Sequence, residues 1–91
     1  MAVTIRIPTT LRPLTGGAAT VQVNAGVLAD VIAALDATHP GLQDRLVDEE
    51  GNLRRFVNVF VDDDDVRYLD GLKTDVPDGQ TVSIIPAVAG G

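Results

Sequence analysis

The sequence predicts an α+β domain in two layers, with one main helix packed across a mixed sheet of four to five strands. Three observations carry this. Residues 2–7 and 20–24 alternate apolar and polar side chains with the period of two that a half-buried strand requires. Over residues 27–39 the period changes: Leu28, Val31, Ile32 and Leu35 fall at i, i+3, i+4 and i+7, one face of a helix. The strand pattern then returns at 56–61 and 81–85, so strands before and after the helix have a common sheet to join. A chain of 91 residues holds one small domain, and neither a repeat nor a low-complexity tract divides it.

In the first strand Val3, Ile5 and Ile7 face the core and Thr4 and Arg6 the other side; Pro8 ends it. Residues 8–19, rich in proline, glycine and threonine, read as a long loop. Val21 and Val23 point inward from the second strand. Four alanines, Ala29, Ala33, Ala34 and Ala37, add helix propensity to 27–39. The helix start lacks a good cap, Asn24 being the nearest candidate and too early, and Pro40-Gly41 closes the end. Residues 42–46 suit one further helical turn, and 48–52 a polar connection.

Residues 56–61 form the strongest strand pattern, with Val57, Val59 and Val61 assigned to the core and Phe56, Asn58 and Phe60 to the opposite face. Asp62 to Asp65 is expected as a turn, 66–68 as a short return strand, 69–74 as irregular, and Pro77-Asp78-Gly79 as a turn. The last strand, 81–85, turns Val82 and Ile84 inward and Ser83 and Ile85 outward. Pro86 has no N–H to donate, which argues against pairing continuing through it.

Composition narrows the function. Hydrophobic residues make up 45% of the chain and aromatics 3%, so the core must be aliphatic. A net charge of −6 disfavours nucleic acid and anionic membranes, since phosphate binding needs a basic face. It suits a partner with a basic docking surface, or solubility alone. With no cysteine, disulfides, thiolate catalysis and thiolate metal sites are excluded, and no side chain can carry sulfur as a thiol. No signal-peptide pattern or membrane-length apolar run is present, so a soluble, cytoplasmic protein is expected, monomeric when free.

The motifs do not add up to an enzyme. A calcium loop starting at Asp62 would need Gly at its sixth position and Glu at its twelfth; Arg67 and Lys73 stand there, so the aspartate run reads as a solvated turn or a docking surface. His39 is the only histidine and is read as structural at the helix end. Ser83, the only serine, has no histidine near it in sequence. Gly16-Gly17 lacks the Lys-Ser/Thr of a phosphate loop. No metal site and no catalytic set is expected. Ile85, with Phe56 and Phe60 on the same side, fits either a partner site or ordinary isolated surface residues.

After Pro86 the chain ends Ala87-Val88-Ala89-Gly90-Gly91 without a charged side chain. Gly90 and Gly91 have no Cβ, so the backbone there is narrow and conformationally free. A bare carboxylate on a thin stem suits threading into another protein's active site; a frayed terminus fits the same residues.

This strand order and the terminal Gly90-Gly91 resemble the ubiquitin-like sulfur carriers of the MoaD/ThiS family, whose fold is the β-grasp. Within the family the resemblance is greatest to the CysO-type carriers of cysteine biosynthesis. It is carried by Leu11-Arg12-Pro13 with Thr15-Gly16-Gly17, by Arg55-Phe56-Val57-Asn58, by Asp64-Asp65-Val66-Arg67 and by the tail. It implies a β-grasp domain over 1–86, a flexible tail over 87–91, and a carrier that performs no catalysis. It also implies that an E1-like enzyme, using ATP and Mg²⁺, adenylates Gly91 and that a sulfur donor converts it to a thiocarboxylate. Gly90, Ala89 and Val88 would thread the tail, and Ile85, Phe60 and Phe56 would dock the partner. A cysteine synthase using pyridoxal phosphate would accept the sulfur, and a metallopeptidase would release cysteine. Alternatives are a small subunit of molybdopterin synthase, sulfur supply for thiamin or secondary metabolites, and, from another class, a ubiquitin-like modifier or binding module.

Overall fold

The computed structural model describes residues 2–86. Its elements are β1 (Ala2–Arg6), β2 (Thr20–Asn24), β3 (Gly26–Val27), α1 (Leu28–Thr38), α2 (Leu42–Leu46), β4 (Val57–Val61), β5 (Asp64–Asp65), β6 (Asp75–Val76) and β7 (Thr81–Pro86). Five strands form one mixed sheet in the order β2-β1-β7-β4-β5, with β1 and β7 parallel at its centre and the other pairs antiparallel. This is the expected two-layer α+β arrangement, a β-grasp. Helix α1 covers one face of the sheet with Leu28, Val31, Ile32 and Leu35, all buried, as the 3.6-residue period requires.

The core is aliphatic throughout. Val3, Ile5 and Ile7 from β1 and its exit meet Val57, Val59 and Val61 from β4 and Val82 and Ile84 from β7, and neither phenylalanine contributes. Val23 is buried, and Val21 is half-buried against the same cluster.

Four local expectations are corrected. Residues 8–19 are not all loop: Thr9–Thr15 is a 3₁₀ helix containing Pro13. Its end is held by the buried Thr15 hydroxyl, 3.0 Å from the Arg12 carbonyl, and by Gly16 at φ 66°, a left-handed position where glycine carries no Cβ penalty. The return strand after the acidic turn is Asp64–Asp65, paired with Val61 and Phe60, so Val66–Tyr68 is a 3₁₀ turn instead. The hairpin loop is therefore only Asp62-Asp63, with Asp62 at φ 54°. Residues 69–74, expected as irregular, contain a third 3₁₀ turn, Gly71–Lys73.

The fourth correction concerns Pro86, which pairs with Val57. Antiparallel pairs alternate between hydrogen-bonded and non-hydrogen-bonded steps. The Asp62 N–H donates to the Thr81 carbonyl at 2.8 Å, which makes Phe60–Ser83 and Asn58–Ile85 the bonded pairs and Val57–Pro86 a non-bonded one. The nitrogen of Pro86 thus faces away from β4, toward the side where β1 pairs only as far as Ser83. A proline costs nothing in the ladder at such a place.

A small second sheet went unforeseen: β3 pairs antiparallel with β6. It also supplies the missing cap of α1, because the Leu28 N–H donates to the Thr74 carbonyl at 2.8 Å rather than to a side chain. At the other end Asp36 Oδ1 accepts from the Gly41 and Gln43 N–H groups at 3.0 and 3.1 Å, tying α1 to α2.

Candidate functional site

The sheet face opposite α1 carries the side chains that alternate with the core positions. On β7 these are Ser83 and Ile85; on β4, Asn58 and Phe60; on β1, Thr4 and Arg6. The register sets Asn58 opposite Ile85 and Phe60 opposite Ser83, so Phe60 and Ile85 are diagonal neighbours. Ile85 is 49% exposed, and Phe56, one residue before β4, is 55% exposed. Phe60 is half-buried. An apolar side chain on the outer face of a central strand, with two aromatics on the adjoining strand and its lead-in, is a surface suited to covering by a partner.

Arg67 holds this face in shape. Its Nη1 donates to Asn58 Oδ1 at 2.6 Å, and its Nη2 donates to the carbonyls of Val57 at 2.7 Å, Arg54 at 2.8 Å and Arg55 at 3.2 Å. The non-bonded register at Val57 leaves that carbonyl pointing away from β7, and the guanidinium takes it. One side chain therefore fixes the loop carrying Phe56 and orients the Asn58 that faces Ile85. Arg67 is itself placed by a side-chain cap, its backbone N–H donating to Asp65 Oδ1 at 2.9 Å. The segments Arg55-Phe56-Val57-Asn58 and Asp64-Asp65-Val66-Arg67 are thus two halves of one clamp. Sequence reading named both segments and missed that one guanidinium joins them.

The acidic run divides by role. Asp62 Oδ1 accepts from the Thr81 N–H at 3.0 Å and Asp65 caps the turn that follows, so both belong to the hairpin. Asp63 and Asp64 are exposed. Among the described residues no group of three or more histidine, cysteine, aspartate or glutamate side chains is placed to hold a metal ion. His39 ends α1, its N–H bonded to the Leu35 carbonyl at 2.9 Å, and Ser83 lies within β7 opposite Phe60. Among the described residues no helix is long and apolar enough to cross a membrane. Val88, Ala89, Gly90 and Gly91, the expected threading and reacting residues, lie outside the described residues.

The model of the ThiS family matches residues 5–91. The chain belongs to the ThiS family. This ThiS-family chain is 50% identical to the sulfur carrier protein CysO of Mycobacterium tuberculosis over 93 aligned positions, covering all of both chains. It superposes on a chain of the crystal structure of an Amycolatopsis orientalis BexX/CysO complex with a TM-score of 0.92 and 47% identity, covering 98% of this chain and 99% of that one. It is also 42% identical over 64 residues to small archaeal modifier protein 3 of Haloferax volcanii, covering 70% of this chain and 68% of that one. The β-grasp fold and the CysO-like character expected from the sequence agree with these similarities, and the full-length relatives are carrier proteins rather than enzymes.

Proposed function

We propose that this chain is a sulfur carrier whose Gly91 carboxylate is activated and converted to a thiocarboxylate, and that the sulfur serves cysteine biosynthesis. The observation that carries the reading is the similarity to CysO over the whole of both chains, terminal Gly90-Gly91 included. Carboxylates are poor electrophiles. An E1-like enzyme using ATP and Mg²⁺ joins the Gly91 carboxylate to AMP and releases pyrophosphate. Sulfide, the sulfur donor at that oxidation level, then attacks the acyl carbon and expels AMP, leaving C(=O)–S⁻. On a synthase dependent on pyridoxal phosphate the thiocarboxylate sulfur bonds to the β-carbon of an activated serine, whose leaving group departs. A metallopeptidase then hydrolyses the resulting bond to the Gly91 carbonyl, freeing cysteine and restoring the carboxylate. These cofactors belong to the partners. The setting is cytoplasmic, and residues 87–91 act as a tail on the domain of residues 1–86.

The chain's own work is presentation. Ile85, Phe60 and Phe56 form the docking patch, Val88 and Ala89 extend the stem, and Gly90 keeps it thin enough for a narrow channel. The test is intact-mass analysis after incubation with adenylating enzyme, ATP, Mg²⁺ and a sulfur donor. The parent is expected to exchange one oxygen for sulfur. Deletion of Gly91 abolishes the exchange because the acyl carbon falls about 3.5 Å short of the reacting position. Charging of the truncated protein at the parent's rate refutes the reading. The similarity to an archaeal modifier supports a second reading, attachment of Gly91 to lysines of other proteins; lysine conjugates in cells without any thiocarboxylate would establish that instead.

A further inference from the structure

We infer that the groove at the root of the tail binds an acidic side chain, an aspartate or glutamate, on the enzyme that activates the carrier. This rests on the carrier reading above and adds the chemistry of the partner's surface. The groove, of about 560 Å³, lies where the ends of β1 and β7 meet the 3₁₀ helix Thr9–Thr15, and runs to Ile85 and Pro86. Arg6 and Arg12 both line it, together with Thr9, Thr10 and Ser83.

Charge makes the case. The chain has 13 acidic and 7 basic residues, yet two of those cations share this groove and no aspartate or glutamate lines it. Arg6 also lines the adjoining groove with Asp62 and Asp63, so Arg12 is the cation here with no carboxylate in its surroundings, and a concave positive site concentrates anions. Arg12 is prepared for the task. Its Nε donates to the Ile7 carbonyl at 3.2 Å, which anchors the guanidinium on the groove wall. Among the described residues its Nη groups meet no acceptor within hydrogen-bonding distance, and the Nη fork is the part of arginine that fits a carboxylate. Arg6 stands on the outer face beside Ser83, exposed, where it reaches the same space.

Position selects the occupant. The groove adjoins Ile85, so a carboxylate there forms a charged rim contact beside an apolar docking residue, the usual anatomy of an interface. It does not suit the phosphates of ATP, which must react with Gly91. Five extended residues can place Gly91 about 17 Å beyond Pro86. A protein carboxylate is the anion that docking brings to the root.

ATP–pyrophosphate exchange by the cognate adenylating enzyme tests this, with carrier and ATP varied separately. Arg6→Glu and Arg12→Gln are each expected to raise the KM for carrier about tenfold while leaving the rate at saturating carrier within about twofold, the effect shrinking sharply between about 50 mM and about 500 mM salt. Arg45→Glu, on the exposed side of α2 and away from the groove, leaves the KM unchanged. Among the described residues the Arg6 side chain makes no hydrogen bond, so its variant stays informative even where loss of the Arg12–Ile7 bond loosens the fold. An unchanged carrier KM in a normally melting Arg6→Glu overturns the inference and leaves the carrier reading standing. So does a rise that is equal at both salt concentrations, or one that appears in the KM for ATP instead. Absence of any exchange by the parent protein defeats the carrier reading and this inference together.

Discussion

Replacing Arg67 with alanine removes one side chain and four hydrogen bonds, to Asn58 Oδ1 and to the carbonyls of Arg54, Arg55 and Val57. These bonds are unequal. Those to Asn58, Arg54 and Arg55 are exposed, and water replaces them at little cost. The bond to Val57 at 2.7 Å is part-buried, and a hydrogen bond to a charged group in that setting contributes about 1.5–3 kcal/mol. A loss of roughly 2–3 kcal/mol follows. At about 4–8 °C per kcal/mol for a domain of this size, Tm should fall by roughly 10–20 °C. Arg67→Lys keeps the charge but replaces a planar fork with a single ammonium, so it should recover only part of the loss.

The assay is thermal unfolding followed by circular dichroism, with backbone amide shifts of residues 54–58 recorded at a temperature where both variants are folded. The clamp predicts shifts concentrated in that segment, and a higher KM for carrier in the adenylation assay, because Phe56 and Asn58 lose their fixed positions. If Arg67→Ala melts within about 3 °C of the parent, the guanidinium contributes too little to hold the loop and the clamp argument is wrong.

Three further outcomes are expected. Ile85→Asp should leave Tm nearly unchanged, since the residue is 49% exposed, and raise the KM for carrier in ATP–pyrophosphate exchange; a large drop in Tm would instead assign Ile85 to the fold. Asp63→Asn with Asp64→Asn should slow association with a basic partner mainly at low salt, whereas Asp62→Ala should cost stability through its bond to the Thr81 N–H; stopped-flow rates at two salt concentrations and melting curves separate the two effects. Asp36→Ala should lower stability by about 0.5–2 kcal/mol in urea unfolding, because two N–H groups at the start of α2 lose their acceptor.

The parts of the fold legible in the sequence were those in which burial dictates a period. The spacing of Leu28, Val31, Ile32 and Leu35 needs only one buried helix face, and Val57, Val59 and Val61 only one buried sheet face. What stayed hidden depends on partners distant in sequence. The β3–β6 pair is two residues long on each side, too short to show any period, and the acceptor for Leu28 is the carbonyl of Thr74. At Pro86 the sequence shows a missing donor and conceals which way that donor would face, so the pairing of Pro86 itself with Val57 is not legible from it. The outer patch was readable from the alternation of Ser83 and Ile85. The Arg67 clamp and the Arg6–Arg12 groove were not, since each assembles side chains from separate segments. Arginines held by backbone carbonyls, as Arg12 and Arg67 are, leave no periodic trace.

The topology ties the stability of the domain to the position of Pro86. Among the described residues β7 is the last strand, and it lies third in the sheet order, paired on one side with β1 and on the other with β4. A terminal segment often frays, but this one has its inward side chains, Val82 and Ile84, in the core and cannot detach without opening the sheet at its centre. Pairing with β4 continues to Pro86, so Pro86 is held in the same frame as Ile85 and the groove beside it. On the carrier reading this sets a geometric limit. Five residues span at most about 17 Å, so the partner's adenylating centre must lie within that distance of Pro86 when the outer face is docked. Inserting two residues after Pro86 should leave Tm unchanged and still impair adenylation, because the acyl carbon is then displaced along the channel by up to about 7 Å. Unimpaired adenylation of that variant would show that the root of the tail does not set the position of Gly91.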